Sequence, residues 1–253
     1  MSGLVLVEQL ERGIVSVTLN RPDRRNALSI DLLEQLCAEI ERLSSDETQR
    51  VVILRGAGLV FSAGLDLREA ADSSLVERSA AAVSRALHLL RASPLIVIAA
   101  VQGGAFAGGA GLMAACDIAI VAADARIGFP EARRGLLPAL ICNVLLHKVR
   151  EGDLRELFLA GDPIDATRAE QVGLAQRVVP AERLLEEALG VARSVTAGGP
   201  NTVRQTKALL NAKFQPGGDS RGANLVELHL AARHSDEARE GLAAYVEKRE
   251  PSW

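Results

Sequence analysis

The sequence predicts an α/β fold built on a buried sheet, followed by a C-terminal helical region, and three observations predict it. Over the first half of the chain, short β-branched runs alternate with stretches of helical periodicity. The runs RVVILRG and LIVIAAV are apolar almost throughout, as strands covered on both faces are. After Glu131 the strand signal fades to a single run, AQRVV, and helical patterns dominate.

The elements follow in order. LVLVEQLERGIVSVTLN reads as two strands joined near Glu11-Arg12-Gly13. LSIDLLEQLCAEIERLSSD places Leu32, Leu33, Leu36, Ile40 and Leu43 on one helical face. RVVILRG is a strand, and SSLVERSAAAVSRALHLLRASP is an amphipathic helix that stops before Pro94. LIVIAAVQG is a buried strand ending near Gln102, and CDIAIVAADARIGF supplies one or two more. LRELFLAG, ATRAEQVG and AERLLEEALGVARSVTAG are helical. Beyond Pro200 the pattern is wholly helical, with a break at Gln215-Pro-Gly-Gly218. The expected organisation is a core over residues 1–195 and a helical region over 196–253. Strand–helix units near 14–43 and 95–115 hint at an internal repeat.

Composition removes several classes. The 253 residues are 48% hydrophobic and only 3% aromatic, so the core is aliphatic. A net charge of −3 gives no basic stripe for nucleic acid. Cys37, Cys116 and Cys142 are widely spaced, which argues against a zinc site or a disulfide framework and fits a reducing compartment. The N-terminus lacks the pattern of a signal peptide, so a cytoplasmic protein is expected. Leu95 to Ala123 is apolar enough to raise a membrane span. Pro94, the β-branched opening and the absence of basic flanks favour a buried strand, a glycine turn and a short helix instead.

VQGGAFAGGAGLMAACD, with five glycines in seventeen positions, carries the chemistry. Gly109-Ala-Gly111-Leu-Met-Ala114 matches a dinucleotide fingerprint. Its strand ends too early, however, and about eight residues before the next strand are too few for a crossover helix. A helix opening near Gly108-Gly109 presents backbone N–H groups, and the glycines let a carbonyl approach them. GAGLVFSAGLDLREA offers a second helix start near Leu65. There Asp66-Leu-Arg-Glu69 has capping-box spacing, so Asp66 reads as a helix cap.

LNRPDRRNALS, FSAGLDL, GGAFAGGAGLMAACD, GFPEARRGLLPA and EGLAAYVEKREPSW resemble, in order and spacing, the enoyl-CoA hydratase/isomerase (crotonase) family over essentially the whole chain. The resemblance implies a spiral of ββα repeats and a C-terminal helical trimerisation region. It also implies self-assembly as a homotrimer or a dimer of trimers, and an acyl-CoA thioester substrate. Coenzyme A would be part of that substrate, with no separate cofactor, metal, nucleic acid or membrane involved. It assigns the thioester carbonyl to the N–H groups of Leu65 and Gly108, and proton transfer to Glu131. Arg25, Ala27, Ala63, Asp66, Gly111 and Lys248 would line the substrate site, with Arg24 beside them. An apolar surround near Phe129 and Leu136-Leu137 would raise the Glu131 pKa. His229 and His234, on a predicted helix, read as surface or interface residues.

Gly111 departs from the family's two-carboxylate hydratases, which carry a glutamate there. Double-bond migration needs only one base, which leans toward isomerisation. GGAGLMAACDIAI with PEARRGLLPALI instead resembles a branch containing hydratases of the methylglutaconyl-CoA type. Hydration of a 2-enoyl-CoA is the reading adopted. Isomerisation of a 3-enoyl-CoA, or CoA binding without turnover, are the alternatives.

Overall fold

The computed structural model describes residues 3–213 and 235–253; the expected break at 215–218 and both His229 and His234 lie outside them. The chain divides into two units, Met1–Ala192 and Arg193–Trp253.

The first unit holds a six-stranded sheet and a smaller three-stranded one. Strands β1 (Val5–Glu11) and β2 (Ile14–Leu19) form an antiparallel hairpin that turns at Gly13, in left-handed conformation. Next come α1 (Ile30–Ser44), β3 (Val51–Gly56), the single turn α2 (Leu67–Ala70), α3 (Val76–Ala92) and β4 (Ile96–Val101). Then follow β5 (Gly104–Phe106), α4 (Gly108–Ala115), β6 (Ile118–Ala122) and β7 (Arg126–Gly128). The large sheet runs β1-β2-β3-β4-β6-β9, where β9 is Arg177–Val179, and is parallel from β2 onward. β3 and β4 are buried nearly throughout, which explains their apolar sequences. The apolar face of α1 is buried at all five expected leucine and isoleucine positions.

Three elements were not expected, the third being the two-residue strand at Ile164–Asp165, in a stretch where AQRVV was the single strand signal. Past Gln102 the chain turns at Gly103 and forms β5, which pairs in parallel with β7 in the small sheet. Gly103 has φ +61°, and a Cβ there would sit 1.9 Å from the Leu59 carbonyl oxygen, so only glycine permits the turn. The second is α5 (Ala139–Leu145), seven residues following Pro138 with no side-chain cap. Its signal is too short and too β-branched to read from periodicity. The unit continues through α6 (Glu151–Ala160), β8 (Ile164–Asp165), which pairs with β7, and α7 (Ala166–Gln171). Helix α8 (Leu184–Thr196) spans the division between the units.

The second unit contains α9 (Pro200–Lys213) and a helix at Asp236–Glu247. Glu237 accepts hydrogen bonds from the amides of Asn201 and Thr202, closing the N-terminus of α9. Among the described residues, no helix is long and apolar enough to cross a membrane.

Candidate active site

Two loops that leave neighbouring strands are sewn together beside the small sheet. Ser62 and Ala105 form a parallel bridge: the Ser62 amide donates to the Gly104 carbonyl (3.3 Å), and the Phe106 amide donates to the Ser62 carbonyl (3.0 Å). Leu65 and Gly108 therefore stand at the same offset, three residues past the bridge. Gly64, with φ +89°, makes the approach possible, because a Cβ there would lie 2.6 Å from the Phe106 carbonyl oxygen.

The backbone donors can be followed one by one. The Ala63 amide donates to the Arg25 carbonyl, that of Gly64 to the Ser62 hydroxyl, and that of Asp66 to the Leu28 carbonyl. Leu65 alone between Ser62 and Asp66 has an amide with no acceptor among the described residues. Gly108 opens α4, and its amide likewise has no acceptor among the described residues, as expected at a first helical turn. Ala107, the residue before it, is held at φ 49° and ψ −122°. That is a costly conformation for a non-glycine residue, and its ψ sets the plane of the peptide that carries the Gly108 N–H.

A cavity of about 640 Å³ lies against these loops. Arg25, Ala27, Ala63, Leu65, Asp66 and Glu131 all line it, as does Ala107. One wall is the segment 21–27 joined to 63–68 through the amide bonds above. Phe106 and Ala107 line a second part, and Pro130, Glu131, Arg134 and Leu136, which follow β7, a third.

Glu131 precedes a 3₁₀ turn at Ala132–Arg134 and is 8% exposed. Its Oε2 is buried without a hydrogen-bond partner among the described residues. Burial pushes its carboxyl above the usual carboxylate range, against the opposing pull of its own amide and of Arg134. Phe129, two residues before Glu131, is buried and packs edge-on against Phe158. Leu136 lines the cavity, whereas Leu137 is 84% exposed and does nothing to bury Glu131.

Asp66 caps α2 through the Arg68 amide and pairs with Arg21 at 3.0 Å. Desolvation is the largest influence on its carboxyl and acts upward, but the bonds from Arg21 and Arg68 outweigh it, and the pKa is lowered. The expected capping box does not close. Glu69 reaches across to the amide of Ile30, the first residue of α1, so one acid caps each of two helices.

Gly111 does not line the cavity. A Cβ there would lie 2.4 Å from Ile141 Cγ2, so a branch of α5 occupies the space that a side chain at 111 would need. Lys248 belongs to the second unit, where it is exposed and in left-handed conformation after the helix ending at Glu247.

Two residues that sequence reasoning passed over organise this site. Arg21 donates to the Ala27 carbonyl as well as to Asp66. Asn26 is fully buried at φ 52°; its side chain accepts from the Arg21 amide and donates to the carbonyls of Ala57 and Val60. Asparagine tolerates this backbone conformation, the one local hint available.

The Leu65 amide and the Glu131 carboxyl thus line one cavity, each with a polar atom that has no partner among the described residues, whereas Gly108 is not among the residues lining it. The chain belongs to the enoyl-CoA hydratase/isomerase family, whose model matches residues 9–253. A Thermus thermophilus relative, provisionally named an enoyl-CoA hydratase, is 37% identical over 251 residues, or 96% of this chain and 98% of its own. The 2,3-dehydroadipyl-CoA hydratase of Escherichia coli K12 is 31% identical over 254 residues, spanning 100% of this chain and 99% of its own. The crystal structure of a Mycobacterium smegmatis enoyl-CoA hydratase matches with a TM-score of 0.94 at 31% identity, covering 100% of this chain and 99% of that one. Its fold is the crotonase fold, the architecture that the sequence resemblance implied.

Proposed function

We propose that this chain hydrates a 2-enoyl-CoA thioester, with the amides of Leu65 and Gly108 as the oxyanion hole and Glu131 as the single acid/base. The observation that carries this reading is the Glu131 carboxyl, buried, unpartnered at Oε2 and lining the same cavity as Leu65. Water adds its oxygen to the β-carbon as Glu131 takes one of its protons. The electron pair of the double bond moves onto the thioester oxygen, where two N–H donors stabilise the enolate. Glu131 then returns the proton to the α-carbon, and the carboxylate is regenerated. A carboxyl whose pKa is raised by burial suits both halves of this transfer. The steps balance without a redox group or metal.

Five arginines line the cavity: Arg21, Arg24, Arg25, Arg68 and Arg134. Arg24, Arg25 and Arg68 stand on the wall formed by 21–27 and 63–68, which suits the phosphates of coenzyme A. Lys248 is proposed as a further phosphate contact, and the second unit as the means of self-association into a homotrimer or dimer of trimers.

A specific observation favours a second reading. Among the described residues Asp66 is the only other carboxylate lining the cavity, and Arg21 and the Arg68 amide hold it. One free carboxyl suffices to shuttle a proton between two carbons, which is isomerisation of a 3-enoyl-CoA. Following the conjugated-thioester absorbance separates the two. Loss from crotonyl-CoA with wild type, absent with Glu131→Gln, establishes hydration. A gain from a 3-enoyl-CoA with no loss from crotonyl-CoA overturns hydration for isomerisation.

A further inference from the structure

Among the described residues, the cavity-lining cation Arg134 has no part in the proposed chemistry and no side-chain hydrogen-bond partner in the fold. Arg134 lines the cavity from the Pro130–Leu136 segment, whereas the other four arginines belong to 21–27 and 63–68, and it is exposed. Arg21 is committed to Asp66 and the Ala27 carbonyl, and Arg24 lies 3.7 Å from Asp23. The Arg134 guanidinium makes no hydrogen bond or ion pair among the described residues.

Its place on the chain decides what it can meet. The Arg134 amide donates to the Glu131 carbonyl at 2.9 Å, closing one 3₁₀ turn. Side chains three residues apart on such a turn eclipse one another, so Arg134 stands over the same face as Glu131. The two are close enough for the guanidinium to act on the carboxyl, yet they form no ion pair. Glu131 works on the acyl carbons next to the thioester. Arg134, three residues on in the same turn, is presented beside it and so meets the acyl chain rather than the nucleotide.

We propose that Arg134 reads the acyl chain, and that the preferred substrate is an enoyl-CoA whose acyl group carries a carboxylate. This rests on the enoyl-CoA reading above and narrows its substrate class. A guanidinium and a carboxylate form a charge-assisted, bidentate pair. An uncharged acyl chain would leave the guanidinium over the base with only water to bind.

The test pairs crotonyl-CoA with glutaconyl-CoA, which bears a carboxylate in place of one hydrogen of the terminal methyl group. Wild type should favour glutaconyl-CoA in kcat/KM by about 10-fold or more, the scale of a charge-assisted hydrogen bond. Arg134→Leu should lower kcat/KM for glutaconyl-CoA at least about tenfold more than for crotonyl-CoA, and Arg134→Lys should recover part of the difference. Equal kcat/KM for the two substrates in wild type overturns the proposal. So does an equal loss on both in Arg134→Leu with the acid limb of the pH profile moved, since Arg134 would then serve the titration of Glu131. Binding of two saturated esters, glutaryl-CoA and butyryl-CoA, is measured by calorimetry in parallel. If no enoyl-CoA turns over but wild type binds glutaryl-CoA more tightly and Arg134→Leu does not, catalysis fails while recognition stands.

Discussion

Replacing Glu131 by glutamine keeps the shape of the side chain and removes its charge, so one variant tests catalysis and electrostatics together. Without a base the proton cannot move, and kcat should fall by about 10²–10⁴. CoA-ester binding should survive, because the loops bearing Leu65, Gly108 and Arg25 are untouched. Stability should move the other way. The folded carboxyl has a pKa raised above 4.5 by burial. Its contribution to the fold is therefore complete below about pH 4.5, where both states are protonated. It is lost as pH rises through the folded pKa, because the ionised form is poorly accommodated in the cavity. Glutamine never ionises. Urea midpoints of wild type and variant should run parallel at acid pH. They should then diverge in favour of the variant, by at most about 1.4 kcal/mol per pH unit, and run parallel again above the folded pKa. Chemical denaturation at several pH values, with crotonyl-CoA and 3-enoyl-CoA turnover on the same samples, reads both effects. A variant with wild-type turnover of whichever substrate is active removes Glu131 from the mechanism. A stability difference that is flat with pH removes the desolvated carboxyl.

Three further outcomes follow from the same geometry. Gly111→Ala should cost about 1–3 kcal/mol by driving a methyl into Ile141. The double variant with Ile141→Ala should be less destabilised than the sum of the singles by about 1 kcal/mol in denaturant titrations; strict additivity would show that the two do not share that space. Asn26→Ala should cost about 3 kcal/mol by stranding the carbonyls of Ala57 and Val60 and the Arg21 amide, and a change below about 0.5 kcal/mol would refute the role of this hub. His147 Nε2 is buried without a hydrogen-bond partner among the described residues, and burial, helped by Arg91, holds its pKa below 6.5. The folded state thus resists protonation, so wild type should lose stability as pH falls below about 6.5. His147→Gln should lose less over that window in thermal melts, and an identical slope would exclude His147 as a source.

Local physics in the chain was enough for β2, α1, β3, α3 and β4. A strand buried on both faces must be an apolar run, and a half-buried helix must repeat its apolar residues every three to four positions. The glycine loops could be read for the same reason, since clustered glycine marks backbone that something must approach. Those loops pointed to helix starts near Leu65 and Gly108-Gly109, and the family resemblance then assigned Leu65 and Gly108 as donors and Glu131 as the acid/base. What the sequence left open depends on partners far along the chain. β5 exists because Gly103 turns beneath the Leu59 carbonyl and meets β7, and nothing local announces that pairing. Glu69 has capping-box spacing with Asp66, yet it bonds to Ile30, because the tertiary fold brings the start of α1 within its reach. Gly111 looked like a missing carboxylate in the sequence; in the folded chain it is a notch filled by Ile141, thirty residues on. Arg134 is one basic residue among many until the 3₁₀ turn stacks it over Glu131. Periodicity and glycine content are properties of neighbours in the chain. Occupied space and unpaired charge belong to neighbours in the fold, and only the tertiary structure decides those.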